Sequence, residues 1–347
     1  MSHAEIGNES VIKPLPKNRQ AVFDEIREEI NERLDLRQIQ STQLDNGKHQ
    51  CFAWDATRLP TESHYVPVFL NILEQQENLG KINPETHVLV ETTTGNAGAA
   101  VAWLAKRLNY GVIIFIPEDM PAARIADVRQ YLPENGIAEI RLTPKRRYVE
   151  GMVEIFREFL STHRAGYRGK QLAILNHSRR EESIGAIDDV VTSLLARIKS
   201  SIHFDTAVVA LGNGTTATGI GRALRRLNPS TRIVGVEPAE APWIFVQKYG
   251  EQAFTERFGP LPFEHHHEMI GTGGWGVRFP NFDLRLLDDV IPVPREEWWA
   301  KQAELKVDGL HVGNTSAACM AVVDRLARVH QNPTNFFTVI YDPITKY

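Results

Sequence analysis

The chain has 347 residues, of which 42% are hydrophobic and 24% charged, and its formal net charge is −4. This length allows two domains with cores of their own. The nearly balanced charge excludes a strong attraction to nucleic acid or anionic lipid, and two cysteines are too few for a disulfide framework. The first ten residues lack the basic and then apolar order of a secretion signal, and no run of 18 apolar residues could cross a membrane. We therefore expect a cytoplasmic protein, most simply an enzyme.

The first half of the chain alternates between apolar runs and helical patterns. Residues 1–20 are predicted to be a polar arm, and 21–34 predict an amphipathic helix. The elements predicted next are strand 87–91, helix 97–107, strand 111–117, helix 122–131, strand 137–142 and helix 149–160. Runs that are apolar on both faces and separated by helices predict a parallel sheet covered on two sides.

The second half repeats this pattern with different loops. The predicted elements are helix 184–199, strand 206–211, helix 219–227, strand 232–237, strand 289–293, helix 295–305, helix 316–329 and strand 335–341. Between residues 240 and 281 the sequence is aromatic and rich in Gly and Pro, so we expect irregular structure there. The sequence predicts an α/β fold with two open βαβ arrays, whose ligand sites lie at the carboxyl ends of the strands.

The first loop with chemical potential is 91–98, ETTTGNAG, between a strand and a helix. Hydroxyls, glycines and an amide at a helix N-terminus can bind a carboxylate or a phosphate. An ordinary helix-capping turn is the alternative interpretation.

A second loop, 212–219 (GNGTTATG), also connects a strand to a helix and can surround a phosphate. Gly212, Gly214 and Ala217 fit the dinucleotide pattern G-x-G-x-x-A, with Glu237 at the end of the following strand. This match is the basis of an alternative hypothesis, a nicotinamide-dependent oxidoreductase.

Four other segments are interpreted structurally. The loop 271–276 follows no strand, so we expect it to line a cleft. The consecutive histidines 265–267 cannot share one face, so we predict no metal site. The basic run 145–147 is predicted to be a solvated loop, and Trp298 with its neighbour Trp299 is predicted to pack within a helix.

Several segments, taken in chain order, resemble the motifs of one enzyme family. The segment 93–98, TTGNAG, is similar to the S-G-N-T-G loop of the fold-type II pyridoxal-phosphate enzymes, which include cysteine synthase, cystathionine β-synthase, threonine dehydratase and the tryptophan synthase β chain. Further similar segments are GVIIFIPEDM at 111–120, GNGTT at 212–216, IVGVEP at 233–238, MIGTG at 269–273, LDDVIPV at 287–293, DGLHVGNTSA at 308–317 and the chain end at 342–347. The resemblance is collinear from about residue 40 onward.

This resemblance implies a fold of two open, twisted parallel-sheet domains with the ligand cleft between them. The larger domain, 21–85 and 176–347, would bind the cofactor phosphate, and a smaller mobile domain, 86–175, would carry the Thr/Asn loop. The family commonly forms homodimers, so a homodimer is the expected assembly.

The resemblance also implies roles around a pyridoxal 5′-phosphate cofactor. Asn96 would hydrogen-bond its phenolic oxygen, and Thr315 would face its pyridine nitrogen. The residues that would hold the substrate carboxylate are Thr92, Thr93, Thr94 and Gly95. Those that would surround the cofactor phosphate are Gly212, Asn213, Gly214, Thr215 and Thr216.

One family motif departs from this pattern. The family places its Schiff-base lysine in a motif like N-P-T-G-S-x-K-D-R, whereas the segment 59–67 reads LPTESHYVP, with Tyr65 at the lysine position. The lysine forms the covalent link to the cofactor and moves the Cα proton. A phenol forms no imine and, with an ordinary pKa of about 10, is a poor base. Tyr65 and His64 are the candidates for part of the proton transfer, unless Tyr65 only fills the volume of the lysine.

Three functions stay open at this point. The first is a pyridoxal-phosphate-dependent lyase or synthase that acts on an amino acid by β-elimination or β-replacement, with the cofactor held without the usual lysine. The second is a non-catalytic relative that binds an amino acid or the cofactor, or that is the partner of an active homologue. The third is the nicotinamide-dependent oxidoreductase.

Overall fold

The computed structural model describes residues 15–39, 44, 48–144, 148–197, 202–262, 267–272, 276 and 279–347. The strands in these residues are β1 (Leu36–Ile39), β2 (His49–Asp55), β3 (His87–Thr92), β4 (Gly111–Pro117), β5 (Ala138–Thr143), β6 (Gln171–Ile174), β7 (Thr206–Ala210), β8 (Arg232–Pro238), β9 (Asp289–Val293) and β10 (Thr334–Ile340). The helices are α1 (Lys17–Arg33), α2 (Tyr65–Asn78), α3 (Asn96–Leu108), α4 (Ala122–Gln130), α5 (Tyr148–Thr162), α6 (Glu181–Ala196), α7 (Thr215–Leu227), α8 (Trp243–Tyr249), α9 (Glu251–Phe258), α10 (Arg295–Val307) and α11 (Asn314–Val329).

The strands form two sheets, one in each of two domains. The larger sheet has the order β1-β2-β10-β7-β8-β9 and is parallel except for the β1–β2 pair, and the smaller sheet, β5-β4-β3-β6, is parallel throughout. The predicted α/β fold with two parallel-sheet domains is confirmed. All strands of the smaller sheet lie within the predicted small domain, 86–175, whose boundaries stay a prediction.

The central strands are buried on both faces, which explains their composition. Every residue of β7, and every residue of β4 after Gly111, is buried. A parallel strand covered by helices on two sides contacts the core through both faces, so it reads as a continuous apolar run. The alanines of α3 are buried too, and this helix packs against α2, α4 and β4.

Most predicted elements lie within a few residues of the observed ones, and three expectations were wrong. Helix α7 begins at Thr215 instead of residue 219, because Gly214, at φ +86°, turns the chain directly into the helix. The segment 240–281, expected to be irregular, contains α8 and α9. Helix α1 begins at Lys17, inside the predicted arm, whose residues 1–14 lie outside the described part of the chain.

No helix among the described residues combines the length and apolarity that a membrane crossing requires.

Candidate functional site

One cleft, with a volume of about 1070 Å³, lies at the carboxyl ends of strands from both sheets. Its wall includes Thr93 after β3, His177 after β6, Gly212 after β7 and Asp342 after β10. Open parallel sheets bind their ligands at this edge, where the loops leave the strands. The cleft is therefore the candidate active site.

The threonine-rich loop between β3 and α3 lies along one wall. Thr92, Thr93 and Thr94 line the cleft, as predicted for a carboxylate-binding loop. The Oγ1 of Thr93 accepts hydrogen bonds from the backbone N–H groups of Gly95 and Gly98, at 2.9 and 3.0 Å. This hydroxyl therefore also caps α3.

Gly95 lies at the N-terminus of α3, as predicted, and its part in holding the substrate carboxylate stays a prediction. It is not among the described residues that line the cleft, and its φ of +136° makes it the last residue before α3. A Cβ on Gly95 would lie 2.9 Å from the side chain of Arg124. Gly95 therefore gives Arg124 its space, and its N–H is already bonded to Thr93.

A buried ion pair lies behind this loop. Arg124 of α4 donates from Nη2 to Oδ2 of Asp342 at 2.8 Å, and the two side chains are 2% and 3% exposed. The Tyr347 ring lies 4.5 Å from the guanidinium carbon of Arg124. Asn96 also donates to Oδ2 of Asp342 at 2.8 Å, whereas its own Oδ1 is buried without a hydrogen-bond partner among the described residues. Asn96 is thus held in place and keeps a polar atom for a ligand.

The loop between β7 and α7 forms the opposite wall. The lining residues are Gly212, Asn213, Gly214 and Thr216. The first turn of α7 follows directly, so its unpaired backbone N–H groups and the positive end of the helix dipole favour an anion here. Four of the five residues predicted to surround the phosphate therefore reach the cleft.

Close packing explains the two glycines of this loop. A Cβ on Gly212 would lie 2.4 Å from the carbonyl oxygen of Gly271, and one on Gly214 would lie 2.6 Å from Phe282. Thr215 is the fifth predicted phosphate residue, and its hydroxyl instead accepts a hydrogen bond from Asn281 Nδ2 at 2.9 Å, away from the cleft lining.

A third helix also begins at the cleft. Thr315 is the second residue of α11 and lines the cavity from the larger domain. Together with α3 and α7, this places three helix N-termini around one volume, which favours a ligand with more than one anionic group.

An aromatic cluster lies at the start of α2, in the segment that was predicted to carry the lysine position. Tyr65 is the first residue of α2 and lines the cleft, and the His64 ring lies against it with centroids 4.2 Å apart. Burial raises the pKa of Tyr65 to about 12, although Arg124 opposes the shift. Burial, with a smaller contribution from His177, lowers the pKa of His64 to about 3. Neither group is suited to accept a proton at neutral pH.

The turn before Tyr65 contains two consecutive residues with left-handed backbone conformation. Thr61 and Glu62 both have left-handed backbones, with φ of +62° and +48°. Glu62 stands where the motif that it resembles has glycine, the residue that adopts this conformation most easily.

No lysine is among the described residues that line the cleft. The nearby buried Lys346 donates to the carbonyl oxygen of Thr61 at 2.6 Å and lies 2.8 Å from Oδ2 of Asp127. That amine is therefore engaged in contacts outside the cleft lining.

Sequence reasoning missed two parts of the site. One is the Arg124–Asp342 ion pair, which joins residues 218 positions apart. The other is His177, which lines the cleft with its Nδ1 3.5 Å from Oε2 of Glu91. The polar residues after β6 were the available signal for His177, since they follow a strand of the parallel sheet.

The remaining predictions have mixed outcomes. Gly271 and Gly276 line the cleft, as expected for that loop, while residues 273–275 lie outside the described part. The basic run 145–147 and histidines 265 and 266 also lie outside it, and the described residues hold no metal-binding group of three or more His, Cys, Asp or Glu. Trp298 is buried and packs against Trp299, so that prediction is confirmed.

The geometry of Glu237 contradicts the nicotinamide hypothesis. Its carboxylate is fully buried and accepts backbone N–H groups of Ile244 and Phe245 at 2.9 and 2.6 Å. Burial raises its pKa to about 8. This carboxylate holds the start of α8, so it cannot bind a ribose hydroxyl in this arrangement.

Comparisons with known proteins identify the family of this chain. The family model described as pyridoxal-phosphate dependent enzyme matches residues 38–341. The chain belongs to this family. It is 27% identical over 267 residues to a cysteine synthase of Buchnera aphidicola, covering 76% of this chain and 78% of that relative. It is 26% identical over 291 residues to cysteine synthase A of Escherichia coli, covering 83% of each chain. Family members, including the cysteine synthases, use pyridoxal phosphate as their cofactor.

Solved structures show the same fold at lower identity. O-ureido-L-serine synthase superposes with a TM-score of 0.77 at 18% identity, covering 96% of this chain and 94% of the other. A hydrogen sulfide-producing enzyme from Fusobacterium nucleatum superposes with a TM-score of 0.76 at 21% identity, covering 94% and 98%.

Proposed function

We propose that this family member binds pyridoxal phosphate without a covalent lysine link and acts on an amino acid by β-elimination or β-replacement. The observation that carries the proposal is the cleft itself. Three helix N-termini surround one cavity, and Tyr65, the first residue of α2, lines it. The resemblance to the family motif assigns the Schiff-base lysine position to Tyr65. Four of the five residues predicted to surround the phosphate line this cavity, whereas no lysine is among the described residues that line it.

The residues present fit the phosphate of the cofactor. Gly212 and Gly214 line the cleft and have no room for a Cβ, so this loop presents backbone without side chains at two positions, which suits close contact with a phosphate. Thr216 adds a hydroxyl from the first turn of α7. The unpaired Oδ1 of Asn96 would accept a hydrogen bond from the phenolic O–H of the cofactor, and the Thr315 hydroxyl would donate to the pyridine nitrogen.

The substrate would occupy the side of the cleft next to α3. Thr92 and Thr94, with the N-terminus of α3, would hold the amino-acid carboxylate. When bound, the cofactor supplies an electron-accepting ring that stabilises negative charge at Cα. An apolar strip of Met152, Phe156 and Leu160 from α5 faces the same cavity and would exclude water from the substrate.

A non-catalytic relative is the second candidate, and a specific observation favours it. The two residues at the lysine position, Tyr65 and His64, have pKa values of about 12 and about 3, so both resist proton transfer near neutral pH. Such a protein would bind the cofactor or an amino acid without turnover.

The assembly and the compartment are further proposals. We propose a homodimer, as the resemblance implies, located in the cytoplasm, as the sequence predicts. Light scattering coupled to size exclusion measures the first, and fractionation of the source cells measures the second.

A titration with pyridoxal phosphate tests the proposed function. We expect a saturable absorption change between about 300 and 500 nm, and a second change on adding an amino acid that carries a leaving group on Cβ. Elimination would release a 2-oxo acid and ammonia, measured by coupled assays. The Tyr65→Phe variant should bind the cofactor as the wild type does if the phenol only fills space.

Each outcome separates the candidates. Binding with turnover supports the enzyme, and binding without turnover across an amino-acid panel supports the non-catalytic protein. Absence of cofactor binding by a folded protein contradicts the enzyme, and absence of both cofactor binding and amino-acid binding contradicts both proposals.

A further inference from the structure

We propose that His177, held by Glu91, transfers the Cα proton of the amino-acid substrate in place of the missing lysine. The inference rests on the proposed function and assigns a group to its proton-transfer step. His177 is neither Tyr65 nor His64, which were the candidates from the sequence.

The position of His177 places it beside the lysine site. It follows β6 at the carboxyl edge of the smaller sheet and lines the cleft together with Thr93 and Asn96. Its ring meets the Tyr65 ring edge to face, with centroids 5.3 Å apart. Because Tyr65 replaces the lysine, the imidazole lies one ring contact from where the lysine side chain would run.

A buried carboxylate, held by backbone N–H groups, lies beside the imidazole. Glu91 is buried, its Oε1 accepts the N–H of Thr92 at 2.9 Å, and its Oε2 accepts the N–H of His177 at 3.4 Å. The same Oε2 lies 3.5 Å from Nδ1 of His177. This distance is long for a hydrogen bond, but such contacts often tighten when substrate binds. In this structure Nδ1 is buried without a hydrogen-bond partner among the described residues. A hydrogen bond from Nδ1 to Glu91 in the substrate complex would leave the other ring nitrogen to exchange protons.

The groups around His177 differ from those around His64 and Tyr65, because a carboxylate lies beside its ring. Glu91 faces it from β3, and His64 and Tyr65 face it from the start of α2, while Asn281 donates a neutral amide to its carbonyl oxygen at 3.2 Å. Nδ1 of His64 and Nδ1 of His177 are both buried without a hydrogen-bond partner among the described residues, and burial raises the pKa of the Tyr65 phenol to about 12. His177 alone among these three has a carboxylate beside its ring nitrogen.

The proposed step transfers a proton from Cα of the substrate to the imidazole of His177. A neutral ring nitrogen of His177 takes the proton of the Cα–H bond. The electron pair of that bond first stays at Cα, where the ring of the bound cofactor would stabilise it. It then forms the Cα–Cβ double bond as the leaving group departs from Cβ with its own pair. Before that departure, His177 can return the proton to Cα, which in deuterium oxide places deuterium there.

The His177→Phe variant tests this role while keeping an aromatic ring against Tyr65 and Phe69, which contacts His177 at 5.2 Å. In the loaded protein, we expect deuterium incorporation at Cα to fall at least about 100-fold, with the cofactor affinity unchanged within about threefold. His163→Phe is the matched control, because that ring also packs against aromatic neighbours, Phe159 and Tyr167, but does not line the cleft.

A second readout does not depend on activity. In the cofactor-free, ¹⁵N-histidine-labelled protein, we expect the ring resonances of His177 to shift when phosphopyridoxyl-serine, the stable reduced conjugate of cofactor and serine, binds the cleft. The resonances of His163 should not shift. Glu91→Gln should reduce the deuterium exchange rate at constant cofactor affinity.

The outcomes separate this inference from the proposed function. If the conjugate binds but the His177 resonances stay in place, or if His177→Phe exchanges deuterium as fast as the wild type, the role of His177 is wrong and the proposed site stands. Binding without any Cα exchange in the wild type also overturns it. Failure of the conjugate to bind overturns both.

Discussion

The α7 side and the α2 side of the cleft face the same volume but use different kinds of chemical group. The α7 side presents backbone N–H groups from a loop whose glycines, Gly212 and Gly214, admit no side chain. The α2 side presents the side chains of His64 and Tyr65. Binding of a phosphate by backbone N–H groups depends on the shape of the loop. A covalent link to the cofactor depends instead on the amine of one lysine side chain. A single substitution can therefore remove the amine and leave the fold and the anion site intact.

The largest expected effect concerns the Arg124–Asp342 ion pair, which lies in the lining of the same cleft and connects α4 to the end of β10. Arg124→Met leaves the buried carboxylate of Asp342 without its partner, so we expect the free energy of unfolding to fall by about 3–5 kcal/mol in a denaturant titration. The matched control is Arg33→Met, since Arg33 forms an exposed pair with Glu29 along α1. This control should cost less than about 1 kcal/mol. Equal losses in the two variants would contradict the structural role of Arg124.

The α2 side should make stability depend on pH. The pKa of His64 is lowered to about 3 in the folded chain, against about 6.5 when unfolded, so between these values the unfolded chain binds the extra proton. Stability is therefore lost as pH falls through this window, by about 2 kcal/mol between pH 7 and pH 5 from this residue. In denaturant titrations, the free energy of unfolding of His64→Phe should fall by about 2 kcal/mol less between pH 7 and pH 5 than that of the wild type. The control His203→Phe, which changes an exposed residue, should lose as much as the wild type. Parallel slopes in all three proteins would contradict the burial of His64.

Substitutions in the loop before α7 should change the affinity for pyridoxal phosphate. Gly214→Ala pushes a Cβ against Phe282, so we expect the loop to move and pyridoxal phosphate to bind at least about tenfold more weakly, a loss of about 1.4 kcal/mol. Gly136→Ala is the control, because Gly136 has a similar φ of +82° but open space around it. Both variants carry the backbone strain of a positive φ, and only the first one has the clash. Equal affinities in an absorption titration would place the phosphate elsewhere.

The sequence predicted the fold better than it predicted the site. Continuous apolar runs such as 111–117 predicted β4 within the parallel sheet, because burial on both faces leaves a local pattern. The loops at 92–98 and 212–216 were found for the same reason, since they connect a strand to a helix.

The parts that were missed depend on contacts between distant residues. Arg124 and Asp342 are far apart in the chain, and neither carries a local signal of its partner. Thr215 looked like a phosphate ligand, but its hydroxyl bonds to Asn281, which only the folded chain brings near. Gly95 was predicted to be part of the carboxylate site, and the folded chain shows that it also makes room for Arg124.

Borohydride reduction of the wild-type protein with bound pyridoxal phosphate, followed by intact-mass measurement, tests the central claim most directly. The account predicts a cofactor absorption band before reduction and no added mass afterwards. It also predicts that Tyr65→Lys gains one phosphopyridoxyl group, which peptide mapping places at position 65. A covalently modified lysine in the wild-type protein would contradict the lysine-free site and move the reactive centre to that residue.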